Sequence, residues 1–299
     1  MIIGEDVQLI GNQQEAHGSE SIVVIGFGYF GCEAVSKIEQ AKLADVNCIC
    51  IPADQNTSHA AGFLRDIAVR TSIAIVIYSL AEYYCYTAVS MVTDEFRRTE
   101  VLTIALVMSA SELTGINDGL RLVCNLFDAV LPLDGYSVPR EEKMVQLGQG
   151  ISSEAIWKSL AFTKGLSFLL SPLSQMSLSV EELRAAFRGA GIISFGFGCG
   201  EGDDGAESAA LCACNREQHC FPLIDAKEAL VSISGGTYLT LHQVSKAMSA
   251  VVEELDSSTG LLYSCFAQSG EHSPMCIYMY LSSRTSRDLL DPGSISYQQ

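Results

Sequence analysis

The sequence predicts an α/β protein: a parallel sheet covered by helices, then one long apolar helix, then a smaller α+β unit. Three observations predict it. Short β-branched runs alternate with helix-period segments up to about residue 133. An apolar helical stretch then fills 152–170 and stops before Pro172. Beyond it, strands and helices return in a different arrangement.

Residues 1–20 are polar and aperiodic, and read as a loosely ordered arm. The run 21–25 (SIVVI) is a strand, 26–31 a turn, 32–43 (CEAVSKIEQAKL) a helix and 46–51 (VNCICI) a second buried strand, which together make a β-turn-α-β unit. The theme repeats with a strand at 73–78, a helix at 81–97, a strand at 101–108, a helix at 114–127 and a strand at 129–133. Strands apolar on both faces that alternate with helices imply a Rossmann-like parallel sheet. The segment 152–170 is apolar on most sides, as expected of a helix buried between two units. A helix at 180–188, a strand at 191–198, a helix at 206–214, a strand at 229–235, a helix at 241–254 and strands at 260–267 and 275–281 follow. The expected organisation is an arm (1–20), a Rossmann-like domain (21–150), a central helix (151–171), a C-terminal domain (172–282) and a polar tail (283–299).

Of the 299 residues 48% are hydrophobic and 18% charged, enough to bury one large core or two ordinary ones. The net charge of −17 repels phosphate backbones and anionic lipid, so a nucleic-acid partner is not expected. The N-terminus lacks a basic start followed by an apolar stretch, and the longest apolar run, 72–80, falls far short of the roughly 18–20 residues that span a bilayer. A cytoplasmic protein without direct membrane insertion is expected. Eleven cysteines are scattered in apolar contexts and read mostly as buried thiols. The cluster Cys212, Cys214, His219 and Cys220 has zinc-ligand residue types, but its spacing matches no common site, so no metal is expected.

Gly26, Gly28 and Gly31 form a literal G-x-G-x-x-G between a strand and a helix, and Asp54 follows the next strand. This is the dinucleotide fingerprint in context: the glycines admit a pyrophosphate, the helix start offers free N–H groups, and Asp54 can accept from a ribose. The alternative is that the glycines serve only a tight turn and close helix–sheet packing.

Longer stretches favour another comparison. Residues 22–35 (IVVIGFGYFGCEAV) resemble the opening strand, first phosphate loop and helix of FtsZ. Residues 180–212 are similar to its helix, glycine-rich strand, Gly-Glu and alanine-rich helix, and 230–244 (LVSISGGTYLTLHQV) to its L-V-N-I-S-G-G-x-x-L-T-L-x-E-V stretch. The chain thus resembles the tubulin/FtsZ superfamily over 21–282. The resemblance implies an FtsZ/tubulin-like fold, with GTP as the family's ligand. It also shows what is missing. The family's G-G-G-T-G-(T/S)-G phosphate loop corresponds to 81–87 (AEYYCYT), where no glycine remains and Glu82 adds a carboxylate. One such charge about 4 Å from a phosphate charge costs roughly 4 kcal/mol, against about 8 kcal/mol for a micromolar site. The segment between Asp54 and Ile73 is short, so a second phosphate loop is expected to be deleted. Glu33 stands at a guanine-facing asparagine, and Ser153 and Glu154 stand at the base-reading Asn-Asp pair. The N-x-D-x-x-D loop that positions water in the family corresponds to Ser177, Ser179 and Glu182. Ser179 lacks the carboxylate, Glu182 carries an extra methylene, and a solvated acid at a helix start is the plainer reading of Glu182.

The expectation is an FtsZ-like cytoskeletal or cell-division scaffold, a degenerate GTPase that keeps at most a weak nucleotide site at Gly26, Gly28, Gly31, Glu33 and Glu154. No cofactor is expected, and the partners are itself or a genuine FtsZ. In the alternatives the chain is a divergent GTPase that still binds GTP, or a sensor of another nucleotide at the glycine turn. Tyr83, Tyr84, Tyr86 and Phe30 would either form an exposed contact patch or fold inward to fill the emptied pocket.

Overall fold

A computed structural model describes residues 8–10, 22–52, 60–82, 85–108, 116–133, 151–202, 204–268 and 273–283. Ten strands form one sheet in the order β1-β3-β2-β4-β5-β6-β7-β10-β8-β9. The first six are β1 (Gln8–Ile10), β2 (Ile22–Phe27), β3 (Val46–Ile51), β4 (Ile73–Ser79), β5 (Leu102–Met108) and β6 (Ala129–Pro132). From β3 to β6 all neighbours are parallel, while β1 lies antiparallel on the outer edge of β3.

Successive side chains of these strands point to opposite faces, and each face has its own helical cover. Ile22 and Val24 pack with Phe30, Ala34, Val35 and Ile38 of α1 (Gly28–Gln40) and with α5 (Ile151–Leu170). Val23, Ile25 and Phe27 join the other cluster. There Leu64 belongs to α2 (Ala60–Ala68), Val89, Val92 and Phe96 to α3 (Cys85–Arg97), and Val123 to α4 (Ile116–Leu126). Burial on both faces is why β2 and β4 read as unbroken apolar runs.

Among the described residues the helices and strands that follow α5 are α6 (Val180–Phe187), β7 (Gly191–Gly200), α7 (Gly205–Ala213), β8 (Ala226–Gly235), α8 (Leu241–Glu254), β9 (Gly260–Ala267) and β10 (Met275–Ser283), with two short 3-10 turns between α7 and β8. The 20-residue helix α5 packs on both strand sets. Its Trp157 meets Phe197 edge-on, Phe162 meets Phe195 and Tyr280, and Phe168 stacks on Phe266 with centroids 4.4 Å apart. This all-round burial explains its lack of a polar face.

Four features differ from the sequence reading. The strand sets of the two halves are one sheet rather than two: Gly191 and Ile192 of β7 pair in parallel with β6, whereas residues 193–200 pair antiparallel with β10. The arm contains β1, whose Leu9 faces Ile49. α2 forms where only a shortened connection was expected, since LRDIA completes an apolar stripe over the sheet. The turn at 26–31 is almost absent, because β2 runs to Phe27 and α1 begins at Gly28.

Candidate functional site

The start of α1 is the natural place for an anion. The first N–H groups of a helix have no intrahelical acceptor, and the helix dipole favours negative charge there. The sequence supplies no local cap, because the N-cap residue is Phe27. The acceptor comes instead from the segment after β4. Glu82 Oε1 accepts from Tyr29 N at 3.1 Å and from Phe30 N at 3.4 Å. Ser79 shapes that segment, its hydroxyl accepting from Ala81 N at 3.2 Å and its carbonyl from Glu82 N at 3.2 Å. A carboxylate therefore occupies the two amides that a phosphate would use at such a helix start.

The glycines have a packing role here. A Cβ on Gly26 would lie 2.2 Å from Gly31 O, and one on Gly31 would lie 2.2 Å from Ile77 O, so both are needed for α1 to touch β2 and β4. Gly28 has φ of 70°, which lets the strand turn directly into the helix. Glu33 is exposed on α1, while Glu154 is half-buried in the first turn of α5. Phe30 points into the core, so it is no part of an exposed aromatic patch. Tyr83 and Tyr84 lie outside the described residues, as do Asp54 and the side chain of Tyr86. Tyr29, which the sequence reading passed over, is 78% exposed beside Glu82.

Ser177, Ser179 and Glu182 stand at the other end of the sheet. Ser177 and Ser179 line a groove of about 390 Å³ with Ile22 and Asp45, at the starts of β2 and β3, and with Leu170 and Pro172 at the end of α5. Twenty helical residues span about 30 Å, so this groove and Glu154 lie near opposite ends of α5. Ser179 is the N-cap of α6: its hydroxyl accepts from Glu182 N at 3.3 Å, and Glu182 Oε2 accepts from Ser179 N and from its hydroxyl, both at 2.8 Å. This reciprocal box holds the Glu182 carboxyl below its ordinary range, the Ser179 backbone N–H being the larger cause and its hydroxyl the second. Glu182 is thus a helix-start acid spent on its own helix. Leu173 and Met176 are exposed in the segment just before it.

The cysteine and histidine cluster is built for packing. His219 Nε2 lies 2.8 Å from Ala213 O, which can only accept, so Nε2 carries the proton and Nδ1 accepts from the Ser194 hydroxyl at 3.0 Å. Cys220 Sγ donates to Ile193 O, and Cys214 is buried. Among the described residues no three His, Cys, Asp or Glu side chains are grouped to hold a metal. Two cysteines that had read as thiols form a disulfide: Cys199 and Cys276 face each other directly across β7 and β10. Only strand register reveals that pair. Glu82 was legible as a charge, but its acceptor role needed the spatial approach of α1 and β4. No helix among the described residues is long and apolar enough to cross a membrane.

No family model matches the chain. A curated relative, the cell division protein FtsZ of Methanothermobacter thermautotrophicus, is 29% identical over 100 residues, which are 33% of this chain and 26% of that protein. The chain therefore matches about a quarter of that relative's length. Among solved structures, an FtsZ dimer from M. jannaschii superposes with a TM-score of 0.75 at 14% identity, covering 91% of this chain and 90% of that one. CetZ2 of Haloferax volcanii, solved as a protofilament with GTPγS, gives 0.63 at 16% identity, covering 90% and 96%. CetZ1 of the same organism, with GDP, gives 0.68 at 14% identity, covering 90% and 96%. Agreement over nine-tenths of each chain at such low identity establishes architecture, and the architecture of this chain is the FtsZ/tubulin-like fold.

Proposed function

We propose that the chain is an FtsZ-type scaffold that associates end to end without nucleotide. The observation that carries this reading is the Glu82 carboxylate on the amides of Tyr29 and Phe30. The residues at this turn do not fit a nucleotide phosphate. Two of its helix-start donors are engaged by Glu82, an acid stands where the ligand's charge would go, and Gly26 and Gly31 are closed against neighbouring backbone. The opposite end supports the same reading, because Ser179 and Glu182 are committed to capping α6. The two ends differ in character: Tyr29 projects from one, and a groove floored by Ile22, Leu170 and Leu178 opens at the other. Unlike ends that meet head to tail produce open filaments where the rotation between copies does not close into a ring, rather than two-fold dimers. The partner is a second copy of this chain or a genuine FtsZ presenting an equivalent end.

Calorimetry of the full chain with GTP, together with extraction of any nucleotide carried through purification, tests the reading. The expected result is neither a micromolar binding isotherm nor a co-purified nucleotide. Micromolar or tighter GTP affinity overturns it and makes the chain a divergent GTP-binding member of the fold.

A further inference from the structure

The Cys199–Cys276 disulfide sits at a rung of the sheet that no backbone hydrogen bond crosses. Phe197 N–H donates to Gln218 Oε1 at 2.9 Å and Phe197 O accepts from Gln218 Nε2 at 2.9 Å, on the side away from β10. Strand geometry repeats every second residue, so the peptide groups of Cys199 point the same way. Cys199 and Cys276 are therefore a non-hydrogen-bonded pair, in keeping with a Cα separation of 4.2 Å. One more rung follows, Gly200 with Met275, and there the pairing of β7 with β10 ends. The sulfur bridge thus holds the strand ends at a place where the ladder itself is weakest.

That rung borders two cavities. On the α5 side, Cys276 lines a space of about 150 Å³ with Trp157, Lys164, Phe197 and Tyr278. Beyond the strand ends, Gly200 and Met275 line a second space of about 280 Å³ with the turns that begin α7 and α8. Ser273 and Pro274 line both, so the start of β10 is a wall that the two spaces share. Cys199 is half-buried and Cys276 is buried, so an incoming thiolate reaches the Cys199 sulfur first.

We infer that the Cys199–Cys276 bond is a redox-operated latch: a dithiol reductant opens it in the folded chain, and opening frees the last rung of β7 and β10 and admits water beside Trp157. In the first step a thiolate of the reductant bonds to the Cys199 sulfur, the Cys199–Cys276 bond breaks, and Cys276 leaves as thiolate and takes a proton. In the second step the other thiol of the reductant attacks its own sulfur in the mixed disulfide, and Cys199 leaves as thiolate and is protonated. One dithiol becomes one disulfide, the protein disulfide becomes two thiols, and two electrons pass to the protein with two protons. Two unbonded sulfurs need more room than one bridge, and the shared wall is where the room lies. The bond also spans 77 residues of sequence, so its loss restores freedom to the unfolded chain and lowers global stability as well. The local effect is therefore read without denaturant.

The test incubates the oxidised full chain with dithiothreitol and follows cysteine alkylation by peptide mapping, amide hydrogen exchange along β7 and β10, and the emission of Trp157, the single tryptophan. Cys199 and Cys276 should become alkylated, and Trp157 emission should move to longer wavelength. Exchange at Gly200 and Met275 should quicken at least about tenfold, while Gly196 and Met279 keep their rates. Cys199→Ser and Cys276→Ser should show the fast exchange with or without reductant, and Cys199→Ala serves if the serine variant fails to fold. A chain in which oxidised dithiothreitol fails to join Cys199 to Cys276 overturns the inference at the outset. A bond that yields only after unfolding, or whose reduction leaves Gly200 and Met275 unchanged, overturns it too. Exchange that quickens equally at every rung also overturns it, and makes the bond a staple of the whole fold.

Discussion

Glu82 lies 53 residues from Tyr29 in sequence, yet it does the work of an N-cap residue. Phe27 has no side-chain oxygen, so without Glu82 the Tyr29 and Phe30 amides lose this acceptor. Caps and helix-start charges are each worth about 1 kcal/mol. Glu82→Ala should therefore lower stability by about 1 kcal/mol in urea denaturation, and an unchanged midpoint would show that the contact is not formed in solution. His219 supplies a second test at this scale. Burial, the dominant cause, holds the ring down to about 4 against its hydrogen bond to Ala213 O, with Lys158 adding to the lowering. The unfolded chain takes up the proton near the ordinary value of about 6.5. A depressed pKa means that the contribution is complete above about 6.5, shrinks as pH falls, and is gone below about 4. Its upper limit is about 3 kcal/mol. Stability should fall across that window, and His219→Gln should flatten the fall.

At the scale of elements, α5 decides how the halves meet. Ala in place of an interior helix glycine ordinarily stabilises by roughly 0.5–1 kcal/mol. At Gly165 the sign reverses, because a Cβ would lie 2.4 Å from Tyr280 Oη and 2.5 Å from Tyr278 Cβ. Tyr280 Oη donates to Phe162 O at 2.7 Å, so it cannot swing aside without breaking that bond. Gly165→Ala should cost about 1–3 kcal/mol in thermal or urea unfolding, as overpacking does. A stabilised variant would mean that α5 and β10 are farther apart than described. The strand β7 is the companion element. Its first two residues extend the parallel half and its last eight build the antiparallel half, so one strand makes the two halves a single sheet.

At the scale of the molecule, the charge of −17 opposes packing of one copy on another. Salt screens such repulsion, with a Debye length of about 10 Å at 0.1 M and 3 Å at 1 M. Sedimentation across a salt series should show association that strengthens with salt and is indifferent to GTP. Tyr29→Ser should weaken it, because a rigid ring that buries large area is removed from the exposed end. A monomer at every salt concentration would exclude the homotypic filament and leave docking on a genuine FtsZ.

The sequence by itself determined the elements whose signals are local. Runs such as IAIVIYS became β4, the apolar stretch before Pro172 became α5, and the segment 241–254 became α8. Side chains a few residues apart settle these choices, so their spacing can be read directly. The resemblance at 230–244 likewise pointed to the architecture that the fold bears out. Tertiary structure alone decided the pairings across long separations: Glu82 on α1, Cys199 bonded to Cys276 across 77 residues, β1 on the edge of β3, and Phe30 turned inward while Tyr29 turns out. Each depends on which elements lie side by side: the Cys199–Cys276 pair needs the register of β7 on β10, which a shift of one residue would break, and the Glu82 contact needs the end of β4 to lie against the start of α1.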